Sequence, residues 1–266
     1  NWGGFAPGQH VGLTVEVDGV LTTRFYSPAS SATRKDGCIE LTVTTHPDGK
    51  VSEHLFAHAR AGMIVGISSA EGEFVLPTKA PERLLLISGG SGITPVMSML
   101  RTLIDKHHKG DITFVHYARS REDAIYADEL AALPGVNVVH VFTREQDGSD
   151  VPSGRLTRAQ LAKIAPGWAN SETFVCGPNS LIDAAEKIWA KEAIDVRLHT
   201  ESFVLPEPVI VGTDATGSVS FAKSGCSCQN DGSVLLDQAE AAGLSPRSGC
   251  RMGICHTCIA YVEEGV

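Results

Sequence analysis

The sequence predicts a multi-domain chain: an antiparallel β-barrel, then a parallel α/β domain, then a small, partial α+β domain. Three observations predict it. Short alternating strand patterns joined by turn dipeptides fill residues 1–79, whereas from Leu84 onward continuous apolar runs alternate with amphipathic helical periods. After Leu205-Pro-Glu-Pro208 the elements shorten again and lead into the loop Cys250-Arg-Met-Gly-Ile-Cys255-His-Thr-Cys258. The 266 residues leave room for roughly two or three domains.

In order, Val11–Val17 alternates apolar and polar residues, Asp18-Gly19 is a hairpin dipeptide and Val20–Tyr26 continues outward as a second strand. Ile39–Thr44 alternates as well, Pro47-Asp48-Gly49 turns the chain, and Ser52 is placed to cap a helix over Glu53–Ala59. Met63–Ile67 and Glu73–Leu76 read as two more strands. Leu84–Ile87 is then an unbroken apolar run, as in a parallel strand covered on both faces. Val96, Met99, Leu100, Leu103 and Ile104 fall at helical spacing behind a glycine loop. The alternation repeats: strand Ile112–Tyr117, helix Arg121–Leu133, strand Val136–Phe142, helix Thr157–Ile164, strand Thr173–Cys176, helix Asn179–Ala193 and strand Val196–Phe203. That order implies a parallel sheet with right-handed crossovers. Strand Val219–Ala222, a turn at Gln229–Gly232 and helix Ser233–Ala242, closed by Gly243, precede the cysteine loop. Both ends read as cut: Asn1–His10 enters a strand with no preceding partner, and Tyr261–Val266 starts a hairpin that does not return.

Composition excludes several classes. The net charge of −9 argues against a general nucleic-acid binder. No window approaches the ~20 apolar residues of a membrane span, and no signal peptide opens the chain. From Glu207 to Val266 there are seven acidic and three basic side chains, which fits an acidic docking module and an ordinary solvated surface about equally. The seven cysteines do not form a secreted disulfide pattern and fit a reducing, cytoplasmic compartment. His46, His54, His58, His107 and His108 suggest no ligand set.

Cys250, Cys255 and Cys258 have the C-x4-C-x2-C spacing of a plant-type [2Fe–2S] loop, and no cysteine follows them. A zinc half-site at Cys255 and Cys258 would lack its second half. Cys226-Ser-Cys228 could supply that half or a fourth cluster ligand, or be incidental thiols. Upstream, Ser88-Gly-Gly-Ser-Gly-Ile-Thr-Pro95 joins a strand to a helix, where glycines admit a pyrophosphate and the helix start offers free N–H groups. Thr94 is expected at the N-cap and Pro95 at the first helical position. The loop is neither a Walker A sequence nor a strict G-x-G-x-x-G.

Arg24-Phe-Tyr-Ser27, Gly49-Lys-Val-Ser52, the glycine loop and Cys176-Gly-Pro178 stand in an order that resembles the ferredoxin–NADP reductase superfamily. With the cysteine loop, the resemblance narrows to three-domain reductases that feed oxygenases or membrane fatty-acid desaturases. It implies a FAD-binding β-barrel over residues 1–79 and an NAD(P)-binding α/β domain over 80–204. A linker at 205–216 and a partial β-grasp, ferredoxin-like [2Fe–2S] domain over 217–266 would follow, the first and last domains being incomplete.

The resemblance also implies roles. Arg24 would pair with the FAD pyrophosphate, Tyr26 would stack on the flavin, and Ser27 would reach its N5. Val43 and Thr44 would line the flavin, and Gly49, Val51 and Ser52 would hold phosphate at a helix start. Gly89, Gly90, Gly92, Thr94 and Pro95 would seat the nicotinamide nucleotide, flanked by Cys176, Gly177 and Pro178, with Glu201 and Phe203 near the flavin. Tyr26, Ser27, Cys176 and Glu201 are the candidate catalytic residues. Arg119, Ser120 and Arg121 could grip a 2′-phosphate, which favours NADPH over NADH; Tyr126 would stack or simply pack on its helix.

The function implied is an NAD(P)H-dependent oxidoreductase that passes electrons through FAD and a [2Fe–2S] cluster to a partner. A membrane fatty-acid desaturase is the first choice of partner, which would involve peripheral contact with a membrane-bound enzyme, and a Rieske-type or other oxygenase is the next. A flavin reductase with a non-redox C-terminal module and a non-enzymatic redox-sensing subunit are the alternatives.

Overall fold

The computed structural model describes residues 2–45, 49–145, 152–203, 215–246, 258 and 260–263. They fall into two compact units: the described parts of Asn1–Val11, Tyr26–Thr44 and Ser69–Val204, and those of Gly12–Phe25, Thr45–Ser68 and Leu205–Val266. The expected turn at Pro47-Asp48, most of the linker, and Cys250 and Cys255 lie outside the described residues.

Strands β1 (His10–Val17) and β2 (Val20–Tyr26) form the expected hairpin. Asp18 and Gly19 both take positive φ, 52° and 78°, the two-residue geometry that matches strand twist. With β3 (Gly66–Glu71) they make a barrel-like sheet in the order β2-β1-β3. The strand expected over Met63–Ile67 thus starts later, and among the described residues the one over Glu73–Leu76 does not form, although Leu76 N–H still donates to Pro7 O at 3.1 Å. Ile39–Thr44 also fails to form a strand; it keeps one antiparallel bridge, Pro28 to Leu41. Pro28 has no N–H, so the ladder stops where it begins. Helix α1 spans Lys50–His58 with Gly49 at its N-cap. Ser52 is therefore not the cap but the third helical residue, its hydroxyl donating to Gly49 O at 3.0 Å.

The parallel domain has five strands, β4 (Arg83–Gly89), β5 (Asp111–Ala118), β6 (Val136–Phe142), β7 (Glu172–Cys176) and β8 (Leu198–Glu201), in the order β6-β5-β4-β7-β8. Leu84, Leu85, Leu86 and Ile87 are each at most 1% exposed because both faces are covered. Helix α2 (Ile93–Asp105) packs Val96, Met99, Leu100 and Leu103 on the face of Leu84, Leu86, Phe114 and Phe174. On the other face, α4 (Arg158–Ile164) and α5 (Asn179–Lys191) pack Leu161, Leu181 and Trp189 on Leu85, Ile87 and Val175. Each such apolar side chain contributes roughly 1.5–3 kcal/mol by leaving water. Thr157, expected as the first helical residue, is instead the N-cap of α4, accepting from Gln160 N–H at 3.1 Å. Helix α3 is much shorter than expected, Ala127–Ala131, because Tyr126 adopts the left-handed conformation at φ 58° and blocks helix before it.

The C-terminal segment shows an antiparallel hairpin, β9 (Ser218–Phe221) and β10 (Cys226–Gln229), followed by α6 (Leu235–Ala241). Strand β10 was not anticipated. In it Cys226 and Cys228 are half-buried while Ser227 and Gln229 are exposed, the alternation of a one-sided strand. Cys228 Sγ lies 3.8 Å from Gln238 O on α6, so this thiol packs the hairpin on the helix.

One buried group makes the parallel domain pH-sensitive. His116 on β5 is fully buried, with Nδ1 2.8 Å from Ser88 Oγ, and burial, helped by His140, pulls its pKa down to about 4. An unfolded histidine titrates near pH ~6.5, so between that pH and 4 the unfolded chain takes up a proton that the native one refuses. Stability is fully present above this window and falls by about 3 kcal/mol as the pH drops through it. In urea unfolding at pH 7 and pH 4.5, His116→Gln should show a shallower loss of stability on acidification than the parent. An unchanged loss would contradict the assignment.

Candidate functional site

The strand order changes direction beside β4. Strands β5 and β6 follow on one side of it, β7 and β8 on the other, so the loops leaving the C-terminal ends of β4 and β7 part and open the crevice where such sheets bind ligands. The register sets Ser88 beside Cys176 at its base. Both loops run backbone against backbone. A Cβ on Gly92 would lie 2.4 Å from Cys176 O and 2.6 Å from Gly177 N, and one on Gly89 would lie 2.9 Å from Pro178 Cδ. Only glycine permits this approach. Gly90, at φ +54°, turns the chain with open space beside it. Helix α2 then starts at Ile93 with Gly92 at its N-cap, which moves Thr94 and Pro95 to the second and third helical positions. Thr94 is accordingly not the cap; its hydroxyl donates to Ser91 O at 3.2 Å. Pro95 costs nothing there, because the first four helical N–H groups have no partner within the helix.

A polar row crosses the sheet just before the crevice, in the register His140, His116, Ser88, Cys176, Glu201. Cys176 is fully buried, and burial first, then the Glu201 carboxylate, hold its pKa well above the ordinary thiol value. It therefore stays a neutral S–H donor and is a poor nucleophile. Glu201 places Oε1 3.8 Å from His10 Nδ1, while its Oε2 is buried with no hydrogen-bond partner among the described residues.

The flavin-side candidates show a similar unmet demand. Ser27 is 2% exposed, and its hydroxyl has no partner among the described residues. Tyr26 beside it is half-buried, Val43 is half-buried and Thr44 is exposed. Arg24 on β2 is half-buried and donates from Nη1 to Thr23 O at 2.8 Å. On α1, Val51 and Ser52 are buried behind the Gly49 cap. Phe203 is exposed beyond β8.

At the C-terminal end of β5, Arg119 is exposed and the Arg121 guanidinium lies 5.5 Å from the centre of the Phe142 ring. Two acids share this end. Ser120 donates to Asp123 at 2.9 Å, and Glu145, from the segment after β6, accepts from Arg121 N–H at 2.6 Å. Acids therefore stand beside the arginines that were expected to grip a 2′-phosphate. Glu145 comes from the segment after β6 and is invisible to a reading along β5 alone.

Polar atoms buried without partners, beside a backbone cradle that admits no side chain, fit bound FAD and a nicotinamide nucleotide. Among the cluster candidates Cys258 is described and half-buried. The descriptions of known families match in the same order as these elements. The oxidoreductase FAD-binding domain matches residues 3–76, the oxidoreductase NAD-binding domain 86–187, and the 2Fe-2S iron-sulfur cluster binding domain 222–266. A Mycobacterium tuberculosis protein named NADPH oxidoreductase is 38% identical over 268 residues, covering 98% of this chain and 68% of its own length. The chain belongs to the ferredoxin–NADP reductase superfamily.

Within that superfamily, a glycine betaine monooxygenase reductase subunit of Chromohalobacter salexigens is 31% identical across 96% of this chain and 76% of its own. Among solved structures, an Amycolatopsis cytochrome P450 reductase, GcoB, is similar at a TM-score of 0.65 and 27% identity, over 75% of this chain and 61% of that one. This superfamily member is an NAD(P)H-dependent oxidoreductase with FAD-binding, NAD-binding and [2Fe–2S] domains. Among its described residues no helix is long and apolar enough to cross a membrane.

Sequence reasoning missed His10, which meets Glu201 from β1, and the polar stripe of α2, Ser98, Arg101, Thr102 and Asp105, which bonds to the segment after Ser27. The stripe recurs at helical spacing and could have been found by reading the polar face as closely as the apolar one. For the crevice itself, Gly92→Ala must drive the two loops apart. It should weaken nicotinamide-nucleotide binding by about tenfold or more, roughly 1.4 kcal/mol, with FAD content unchanged. Nucleotide titration of the flavin spectrum measures this, and wild-type affinity would contradict the close-approach argument.

Proposed function

We propose that this chain is the reductase component of an oxygenase, drawing electrons from NADPH and passing them through FAD and a [2Fe–2S] cluster to its partner. One observation carries the reading: a [2Fe–2S] domain follows the flavin and nucleotide domains within a single chain. The name of the betaine relative supports an oxygenase as the acceptor, and that of the mycobacterial relative supports NADPH. The membrane desaturase placed first by the sequence draws no support from these names.

The bound groups supply the redox chemistry: hydride donation by the nicotinamide, its acceptance and division into single electrons by the flavin, and one-electron relay by the cluster. The residues supply position and electrostatics. Arg24 pairs with the FAD pyrophosphate, while Gly49, Val51 and Ser52 hold phosphate at the start of α1. Tyr26, Val43, Thr44 and Phe203 line the flavin, and the Ser27 hydroxyl, unsatisfied without it, donates to the ring. Gly89, Gly90, Gly92, Thr94 and Pro95 seat the nucleotide, with Gly177 and Pro178 closing the opposite wall. Cys176, held as a neutral thiol, and Glu201, with one free oxygen, flank the nicotinamide. Arg119, Ser120 and Arg121 grip the 2′-phosphate, against which Asp123 and Glu145 set a limit on the preference. Cys250, Cys255 and Cys258 ligate the cluster, within domain limits of 1–79, 80–204 and 217–266. The cysteine pattern of the sequence supports a reducing, cytoplasmic setting.

Two variants separate these steps. Arg121→Ala should lower kcat/KM for NADPH by about tenfold to a hundredfold, the worth of one charge-assisted hydrogen bond, and leave NADH nearly unaffected. Equal losses with both nucleotides would remove the 2′-phosphate assignment. Cys258→Ser should retain NADPH–ferricyanide activity while losing electron delivery to cytochrome c. Retention of both activities would show that the C-terminal domain is not on the electron path.

A further inference from the structure

We propose that Arg101 is a positioning residue for hydride transfer, holding the loop between the two flavin-lining segments against the helix that begins at the nucleotide loop. The inference rests on the reading that Tyr26, Ser27, Val43 and Thr44 face the flavin.

The loop from Pro28 to Leu41 is closed on itself. Ala29 N–H donates to Glu40 O at 2.8 Å, Glu40 N–H donates to Ser30 Oγ at 3.1 Å, and Pro28 and Leu41 form a bridge. It starts immediately after Ser27 and ends just before Val43, so both of its ends are flavin-side residues. Its body is fixed to one stripe of α2. Ser98 Oγ donates to Ser30 O at 2.8 Å, Thr102 Oγ1 accepts from Ala32 N–H at 3.0 Å, and Asp105 accepts from the Thr33 hydroxyl at 3.0 Å. Helix α2 in turn starts at Ile93, directly after Gly92. The loop–helix contact thus sets where flavin-side groups stand relative to nucleotide-side groups.

Arg101 is the centre of that contact. Its guanidinium donates to Ala29 O and Glu40 Oε1, both at 2.9 Å, and grips Glu129 with two bonds of 2.8 and 2.6 Å. The same group lies 4.8 Å from the centre of the Tyr126 ring. Tyr126 bonds through its hydroxyl to Thr42 and, at 3.3 Å, to Glu40. Burial works against the guanidinium charge, but the hydrogen bonds and charges of Glu129 and Glu40 more than offset it and raise its pKa above the ordinary arginine value. Tyr126 holds φ 58°, a conformation that costs an aromatic residue energy and persists only where surrounding contacts enforce it. A planar fork that serves a carbonyl, two carboxylates and a ring at once has no substitute in lysine. Through Tyr126 the cluster also terminates the segment that begins at Arg119–Arg121, so it joins the adenosine end of the site to the flavin lining.

Hydride transfer is steeply sensitive to placement; a displacement of ~1 Å costs on the order of a hundredfold. The test is anaerobic stopped-flow reduction of the flavin-loaded full chain by NADPH, which separates the limiting rate from nucleotide affinity. Arg101→Met should lower the limiting rate by about tenfold or more with affinity within about twofold, and Arg101→Lys should recover only part of it. Where Arg101→Met does not accumulate with flavin, Tyr126→Phe and Glu40→Gln decide, each with a limiting rate several-fold lower. A limiting rate within about twofold of the parent in the flavin-loaded variants, even with a lowered melting temperature, overturns the proposal and leaves Arg101 a structural residue. Ser27→Ala, measured alongside, separates the two claims. If it slows reduction while Arg101→Met does not, the Arg101 role alone fails. If it does not slow reduction, the flavin placement fails and the proposal falls with it.

Discussion

The approach of Gly92 to the Cys176 carbonyl is the constraint on which the parallel domain's site depends. With room for no side chain between them, the loops after β4 and β7 meet backbone to backbone at the point where the strand order turns. That contact fixes the start of α2, the base of the crevice and the position of Cys176 together. It also explains why the loop needs glycine at Gly92 for close approach and at Gly90 for backbone sign, two different demands.

Helix α2 carries that geometry outward because both of its faces are used. Its apolar stripe buries against Leu84, Leu86 and Phe174, and its polar stripe holds the loop between Pro28 and Leu41. One helix therefore connects the glycine loop after β4 to the loop that follows Ser27. Ser27 Oγ and Glu201 Oε2 are among the buried polar atoms that have no partner among the described residues.

Much of this was legible in the chain. The apolar run Leu84–Ile87 announces a buried parallel strand, and the glycines and the helical spacing of apolar residues after it announce its loop and helix. What was not legible depends on partners distant in sequence. Ile39–Thr44 alternates like a strand, yet its neighbour contributes Pro28, which cannot continue a ladder. Arg121–Leu133 has a helical pattern, yet Arg101, Glu40 and Thr42 capture Tyr126 and hold it in the left-handed region. Thr94 and Ser52 look like caps, but Gly92 and Gly49 take that place one or more residues earlier. Strand β10 is hidden because its alternation uses small polar and thiol side chains rather than large apolar ones. The candidate residues of the crevice were named from their motif, while His10 on β1 and Glu145 after β6 were not.

The central claim is that electrons from a nicotinamide nucleotide reach a C-terminal cluster by way of the flavin. Anaerobic titration of the full protein with NADPH, followed by visible absorbance and by electron paramagnetic resonance, tests it most directly. The account predicts bleaching of the flavin bands together with the appearance of a reduced [2Fe–2S] signal in the same titration. Flavin that stays oxidised, or flavin that is reduced with no cluster signal appearing, would contradict it.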